Sequence, residues 1–230
     1  MKRVFKYTLL LILTFIVLVS CWVYVSAYSK PKLPELKNGD IVFQTISSPQ
    51  TLAIMLASGT VYTHVGIVKI GDDGKPVIIE AIGPVREIDI DKWIEQGIGN
   101  FLTVKRYKGL KPQEAERIFE AASKYYGRPY DFFFLFDDER IYCSELVYKA
   151  FKEGLGIELG VVEKVGDLNI NNMAARKLIK QRWQKHPLCQ EAGMDFSKCN
   201  KVIMNQELVT PASVLRDSKL ELIYSNYTPF

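Results

Sequence analysis

Only two histidines, His64 and His186, occur among the 230 residues. A structural zinc site normally takes four Cys or His ligands, so the sequence offers no metal-ligand set and implies no metal or cofactor. Four cysteines are too sparse for a disulfide-built fold, and a chain of this length buries enough core to stand without one. There is no internal repeat and no low-complexity tract. Strong charge is also missing: 30 Lys and Arg face 26 Asp and Glu, and Lys2, Arg3 and Lys6 supply three of the four net positive charges. The remainder is nearly neutral and carries no basic footprint for nucleic acid.

Charge is absent altogether from residues 7–29, "YTLLLILTFIVLVSCWVYVSAYS", behind the basic "MKRVFK". A basic start before an apolar run is an export signal or a membrane anchor. Three fates compete. "LVSC" resembles a lipobox, which would lipidate Cys21. "VSA", Val25 to Ala27, has the small residues favoured before a signal-peptidase cut. The run also exceeds the roughly 20 residues that span a bilayer, so it can remain uncleaved. The expected division is 1–29 signal or anchor, 30–38 a linker with Pro31 and Pro34, and 39–230 one folded domain. Cys189 and Cys199 flank the polar stretch "CQEAGMDFSKC"; in an oxidising compartment such a pair is expected to form a disulfide. Cys143 is left as the folded domain's cysteine without a structural task.

Period-two apolar runs at 40–44, 63–70, 76–82, "VREIDI" and "NFLTVKRY" predict strands, with "GDDGK" turning a hairpin. "SPQTLAIMLAS" predicts a short helix with Ser48 as N-cap and Pro49 in its first turn. Helical spacing then dominates: "KPQEAERIFEAASKYYG", "CSELVYKAFKEGLG", 171–184 and "TPASVLRD", with "KLELIY" as a late strand. Strands first and helices later predict an α+β domain, an antiparallel sheet packed against helices.

Cys143 stands in the first turn of a predicted helix. Unpaired N–H groups and the dipole there favour a thiolate and can hold an oxyanion. The bland reading is a buried cysteine that packs. A nucleophilic cysteine needs a base. His186, in "QKHPLC", reads as a surface or loop residue, whereas His64 begins a central strand. Glu80 is the acidic residue inside the run "VIIEAIG" and is costly to bury unpaired. Across the hairpin it is the natural partner of His64, provided the loop has an odd length such as Gly71 to Lys75; an even turn would put the two on opposite faces.

The ordered set "GDIVFQ", "YTHVGIV", "IIEAIGPV", "YYGRPYDFFF" and "YCSELVYKAF" resembles the YiiX/YebB-like branch of the NlpC/P60 cysteine hydrolases, from about Gly39 to Phe151, with "ELVTPASVLRD" like that group's tail. The resemblance implies a circularly permuted papain-like fold in which the histidine strand precedes the cysteine helix. It implies Cys143 as nucleophile, His64 as base and Glu80 as the orienting member. It also places the domain in a bacterial cell envelope, anchored, lipidated or, after cleavage, released. His186 to Asn200 departs from that pattern and reads as an insertion.

Tyr130, Asp131 and Tyr142 are expected near the cleft as substrate-binding residues; a turn held by the aspartate and plain packing of Tyr142 are the alternatives. "FFFLF" reads as core beside the cleft, and "DDER" as a solvated loop. The expected activity is amide hydrolysis through a Cys143 thioester, with cell-wall peptides as the substrate the resemblance suggests. Two alternatives stand beside it: a lipid acyl hydrolase or acyltransferase of the same fold, and a non-catalytic module that binds cell-wall peptides. The partners are a peptide or acyl small molecule and, through the N-terminal run, a membrane. The sequence says nothing of oligomeric state.

Overall fold

The computed structural model describes Tyr7, residues 12–20 and residues 30–227. Residues 12–20 are helical with exposed side chains, and among the described residues no helix is long and apolar enough to cross a membrane. Cys21 and the cleavage position after Ala27 lie outside the described residues.

Among the described residues eight strands form: β1 Ile41–Ile46, β2 His64–Ile70, β3 Pro76–Ala81, β4 Val85–Asp89, β5 Gly97–Tyr107, β6 Val162–Lys164, β7 Glu207–Val209 and β8 Leu220–Ser225. Six build one antiparallel sheet in the order β4-β3-β2-β1-β5-β8; β6 and β7 pair separately. The late strand "KLELIY" thus closes the sheet at its β5 edge. Alternation decides what each face meets. Ile41, Phe43, Val65, Ile67, Ile79 and Ala81 face the helices Pro112–Ser123 and Cys143–Leu155. Val42, Val68, Ile78, Leu102 and Val104 face Ile90, Trp93 and Ile94 of the short helix Ile90–Gln96. Gly66 belongs to this second face, where an added Cβ would stand 2.5 Å from Ile78 Cγ2 and 3.7 Å from Trp93 Nε1. Its bare backbone lets the indole lie close over β2.

The helix Cys143–Leu155 is the buried axis of the first layer, with Leu146, Val147, Ala150 and Phe151 fully enclosed. It crosses Pro112–Ser123 so closely that a Cβ on Gly154 would come within 2.7 Å of the Arg117 carbonyl. The helices Met173–Arg182, Pro187–Glu191 and Phe196–Asn205 make a smaller layer, and Pro211–Leu215 packs Val214 into the main core. A disulfide joins Cys189 to Cys199, and Ile203, Trp183 and Ile179 pack around it.

Besides the "FFFLF" stretch, where Phe132 and Phe136 are exposed and Phe133 to Leu135 only partly buried rather than core, the structure differs from sequence expectation at two places. The first helix runs Thr51–Ser58 with Gln50 as its N-cap, so Ser48 and Pro49 stay in the preceding turn. Thr51 fixes that turn: its Oγ1 donates to the Ile46 carbonyl at 2.7 Å and accepts from Ser48 N at 2.8 Å. The second is His186, which is buried rather than on the surface. Its Nε2 bonds Gln206 Oε1 at 3.0 Å, and its ring meets Phe133 edge-on at 5.4 Å. Both partners are distant in sequence, so nothing local announced the burial.

Candidate active site

His64 opens β2, and the register Ile67↔Ile79, Ile70↔Pro76 leaves the five residues Gly71 to Lys75 as the loop. The odd length puts Glu80 diagonally across from His64 on one face. His64 Nε2 lies 2.8 Å from Glu80 Oε2, with both side chains buried. The ring stacks on Trp93 at a centroid distance of 6.0 Å. Glu80 in turn sits directly opposite Arg86 in the β3–β4 pairing, and Arg86 Nε and Nη2 donate to Glu80 Oε1 at 3.1 and 3.0 Å. A fully enclosed carboxylate is tolerable only with such partners. Burial pushes the Glu80 carboxyl up, but His64 and Arg86 outweigh it and hold the group below its ordinary 4.5.

Cys143 is the first residue of its helix and is buried. Its Sγ lies 4.0 Å from the carbonyl oxygen of Thr63, the residue before His64, and the thiol acts electrostatically on the His64 imidazole. Because Nε2 is engaged by Glu80, Nδ1 is the ring nitrogen left for another partner. Burial alone pushes the imidazolium down; the Cys143 thiol and the Glu80 carboxylate push it up and win, bringing it from 6.5 to about 9. Histidine is therefore charged at neutral pH, between a carboxylate and a sulfur. The first N–H groups of the helix have no carbonyl one turn earlier; the Tyr142 N–H is capped by Glu145 Oε2 at 3.3 Å.

The other expected residues separate. Tyr130 and Cys143 line one pocket. Burial, then the Cys143 sulfur, pushes the Tyr130 hydroxyl well above 10, so it stays protonated. Tyr142 also lines the pocket, but its hydroxyl is tied up by Val209 N at 3.0 Å and its ring packs edge-on against Phe134. Asp131 is fully buried and is not a pocket-lining residue. Its carboxylate accepts from Phe133 N at 2.8 Å and from Leu135 N, which fixes the aromatic loop. In "DDER", Asp138 pairs with Lys149 on the cysteine helix at 2.7 Å.

The pocket has a volume of about 140 Å³. Ala53, Ile54 and Ala57 wall it on one side, Phe132 to Phe134 on another, and Leu178, Ile179, Trp183 and Ile203 close it. An apolar pocket of that kind suits apolar ligand groups. Sequence reasoning missed Arg86, Trp93 and this second wall. Arg86 was within reach of strand alternation, since it faces Glu80 across a hairpin; the wall is assembled from segments far apart in the chain.

A thiol at a helix N-terminus, set against a histidine on a strand that precedes the helix in sequence, defines a cysteine hydrolase of papain-like fold with permuted chain order. The chain belongs to the family of permuted papain-like amidase enzymes, YaeF/YiiX, C92, which it matches over residues 35–224, and is accordingly an amide hydrolase. It is 35% identical over 151 residues to the uncharacterized protein YiiX of Escherichia coli strain K12, covering 65% of this chain and 74% of that one. The crystal structure of metalloprotein YiiX from Escherichia coli O157:H7 superposes with a TM-score of 0.74 at 28% identity, over 84% of this chain and 98% of that one.

Proposed function

We propose that the chain is a membrane-tethered cysteine amidase of the cell envelope that cleaves amides of apolar acyl groups through a thioester on Cys143. The observation that carries this reading is the pocket: Cys143 lines it, and its other walls are almost throughout aliphatic and aromatic side chains. The uncharged run 7–29 behind three cations supports the tether, and the Cys189–Cys199 disulfide suits an oxidising compartment.

In this reading the Cys143 thiolate, paired with the His64 imidazolium, attacks the amide carbonyl. The negative charge moves to the carbonyl oxygen, where the Tyr130 hydroxyl and the first N–H groups of the helix receive it. The C–N bond then breaks, and His64 gives its proton to the departing amine. Water attacks the thioester, His64 takes a proton from it, and the acid leaves while the sulfur is restored. Glu80, locked by Arg86, keeps Nε2 occupied and the ring aimed throughout. The related E. coli protein is described as a metalloprotein, but among the described residues no three His, Cys, Asp or Glu side chains converge as ligands. This donor set does not fit a metal, and no step is routed through one.

A chain-length series of N-acyl-p-nitroanilides, acetyl to decanoyl, tests the reading. Each buried methylene is worth about 0.8 kcal/mol, so kcat/KM should rise about fourfold per carbon until the pocket is full. A flat series, with cleavage of cell-wall peptides instead, would refute the apolar assignment. The same pocket favours a second reading, acyl transfer to an amine other than water, which added amine acceptors would reveal as a new amide product.

A further inference from the structure

The Cys143 pocket has a single charged residue in its wall. Arg182, the last residue of the helix Met173–Arg182, lines it together with aliphatic and aromatic neighbours. The guanidinium has five donors, yet its one hydrogen bond runs from Nη1 to the Phe132 carbonyl at 3.1 Å. No carboxylate pairs with it among the described residues. A cation at a helix C-terminus ordinarily serves the carbonyls of its own last turn, but this one turns across the pocket to the aromatic loop. Partial burial loosens its proton, and Tyr130 and Cys143 line the same pocket.

The surroundings deepen the imbalance. Arg176, Lys177, Lys180 and Lys185 lie on or just beyond the same helix, and residues 168–190 contain no acid. None of these cations enters an ion pair among the described residues; the one polar side-chain contact is Arg176 Nη2 with Asn171 Oδ1 at 3.0 Å. A half-buried, uncompensated guanidinium at the mouth of an apolar pocket costs free energy in the empty protein, and an oxyanion returns it through paired, charge-assisted hydrogen bonds.

We propose that Arg182 is a specificity residue that binds a carboxylate or phosphate on the substrate, so that the amides cleaved here are anionic amphiphiles: an apolar acyl group in the pocket, the scissile carbonyl at Cys143, and an oxyanion close to the scissile bond. This rests on the amidase reading above and narrows its substrate class. Arg182 touches neither reacting atom; it sets which amide is held and where.

The test is calorimetric binding to the full chain carrying Cys143→Ala, which removes turnover. Three probes share one acyl group: N-octanoylglycine supplies a carboxylate, N-octanoylphosphoethanolamine a phosphate, and N-octanoylethanolamine is neutral. At least one anion should bind about tenfold or more tighter than the neutral probe, in line with hydrogen bonds to charged groups; which one does so names the source of the oxyanion. A further Arg182→Gln change should erase the preference while leaving the neutral probe's affinity within about twofold, and Arg182→Lys, which keeps charge but loses the fork, should retain part of it. Equal binding of all three probes, binding of none, or a preference that survives Arg182→Gln overturns the proposal. Hydrolysis by the unmodified chain separates the two readings. An anion that binds through Arg182 but is never cleaved leaves this site standing and sinks the amidase assignment for such amides. Cleavage without charge preference does the reverse.

Discussion

Replacing Glu80 by Gln perturbs the site at the point where three side chains meet. Arg86 donates two hydrogen bonds to Glu80 Oε1, and His64 Nε2 meets Oε2. A glutamine has one oxygen. Arg86, which can only donate, claims it, and the amide NH2 is left facing His64 Nε2. The imidazole must then accept at Nε2, which is compatible only with the neutral ring protonated at Nδ1. The wild-type environment lifts His64 from 6.5 to about 9, a preference for the imidazolium of about 3 kcal/mol. Glu80→Gln removes the carboxylate's share and sets the amide dipole against the charged form. Turnover should fall about 100-fold or more, and the alkaline limb of the pH–rate profile should move from near 9 toward the ordinary histidine range. The limb belongs to the coupled Cys143–His64 pair rather than to either group. The assay is hydrolysis of N-decanoyl-p-nitroanilide between pH 5 and 10 by wild type and variant, with unchanged circular dichroism as the control for folding. An alkaline limb that stays put would show that Glu80 does not govern the His64 proton, and the reasoning from the 2.8 Å contact would be wrong.

Four further outcomes follow from the same geometry. Because the folded pKa of His64 lies above its unfolded value, its stabilisation is complete below about pH 6.5 and lost as pH rises through about 9; thermal melts at pH 6 and pH 9.5 should show a larger loss in wild type than in His64→Gln. Tyr130→Phe removes the hydroxyl donor beside the sulfur and should lower kcat about 10- to 1,000-fold with little change in KM; equal loss in both parameters would reassign Tyr130 to binding. Arg86→Met leaves Glu80 held by His64 alone and, since Arg86 is 44% exposed and its place is open to water, should cost less than Glu80→Gln; a larger cost would make Arg86 the dominant member. Cys189→Ser with Cys199→Ser opens a link closed over a sequence separation of 10, worth about 2–3 kcal/mol by loop closure. Because Trp183 and Ile203 pack on that link and wall the pocket, KM should rise more than kcat falls.

The part of this site that was legible in the sequence is the part set by local rules. Alternation and loop parity placed His64 and Glu80 on one face once five residues were assigned to the turn, and the helical spacing after Cys143 put the thiol at a helix start. Arg86 obeys the same alternation but reads as one of many surface charges until the β3–β4 register sets it opposite Glu80. Ser48 followed by Pro49 satisfies every local rule for a helix start; the Thr51 hydroxyl, bonded back to Ile46, delays it. His186 and the pocket wall were out of reach for another reason. His186 is held by Gln206, whose own amide donates to the Phe133 and Phe134 carbonyls. That arrangement joins three segments, His186 lying 20 residues from Gln206 and Phe133 lying 73 from it, and no short window of sequence carries it. The tyrosines divide in the same way: Tyr130 and Tyr142 flank the same loop, yet only the path of β7 decides that the Tyr142 hydroxyl is consumed by Val209.

The most direct test of the central claim is the rate at which the Cys143→Ala chain, shown to melt at the wild-type temperature, releases p-nitroaniline from N-decanoyl-p-nitroanilide. If Cys143 is the nucleophile, removing it leaves only binding and the oxyanion donors, and the rate should drop below about one thousandth of wild type. Release at a tenth of the wild-type rate or more would contradict the thioester mechanism, whatever the positions of His64 and Glu80.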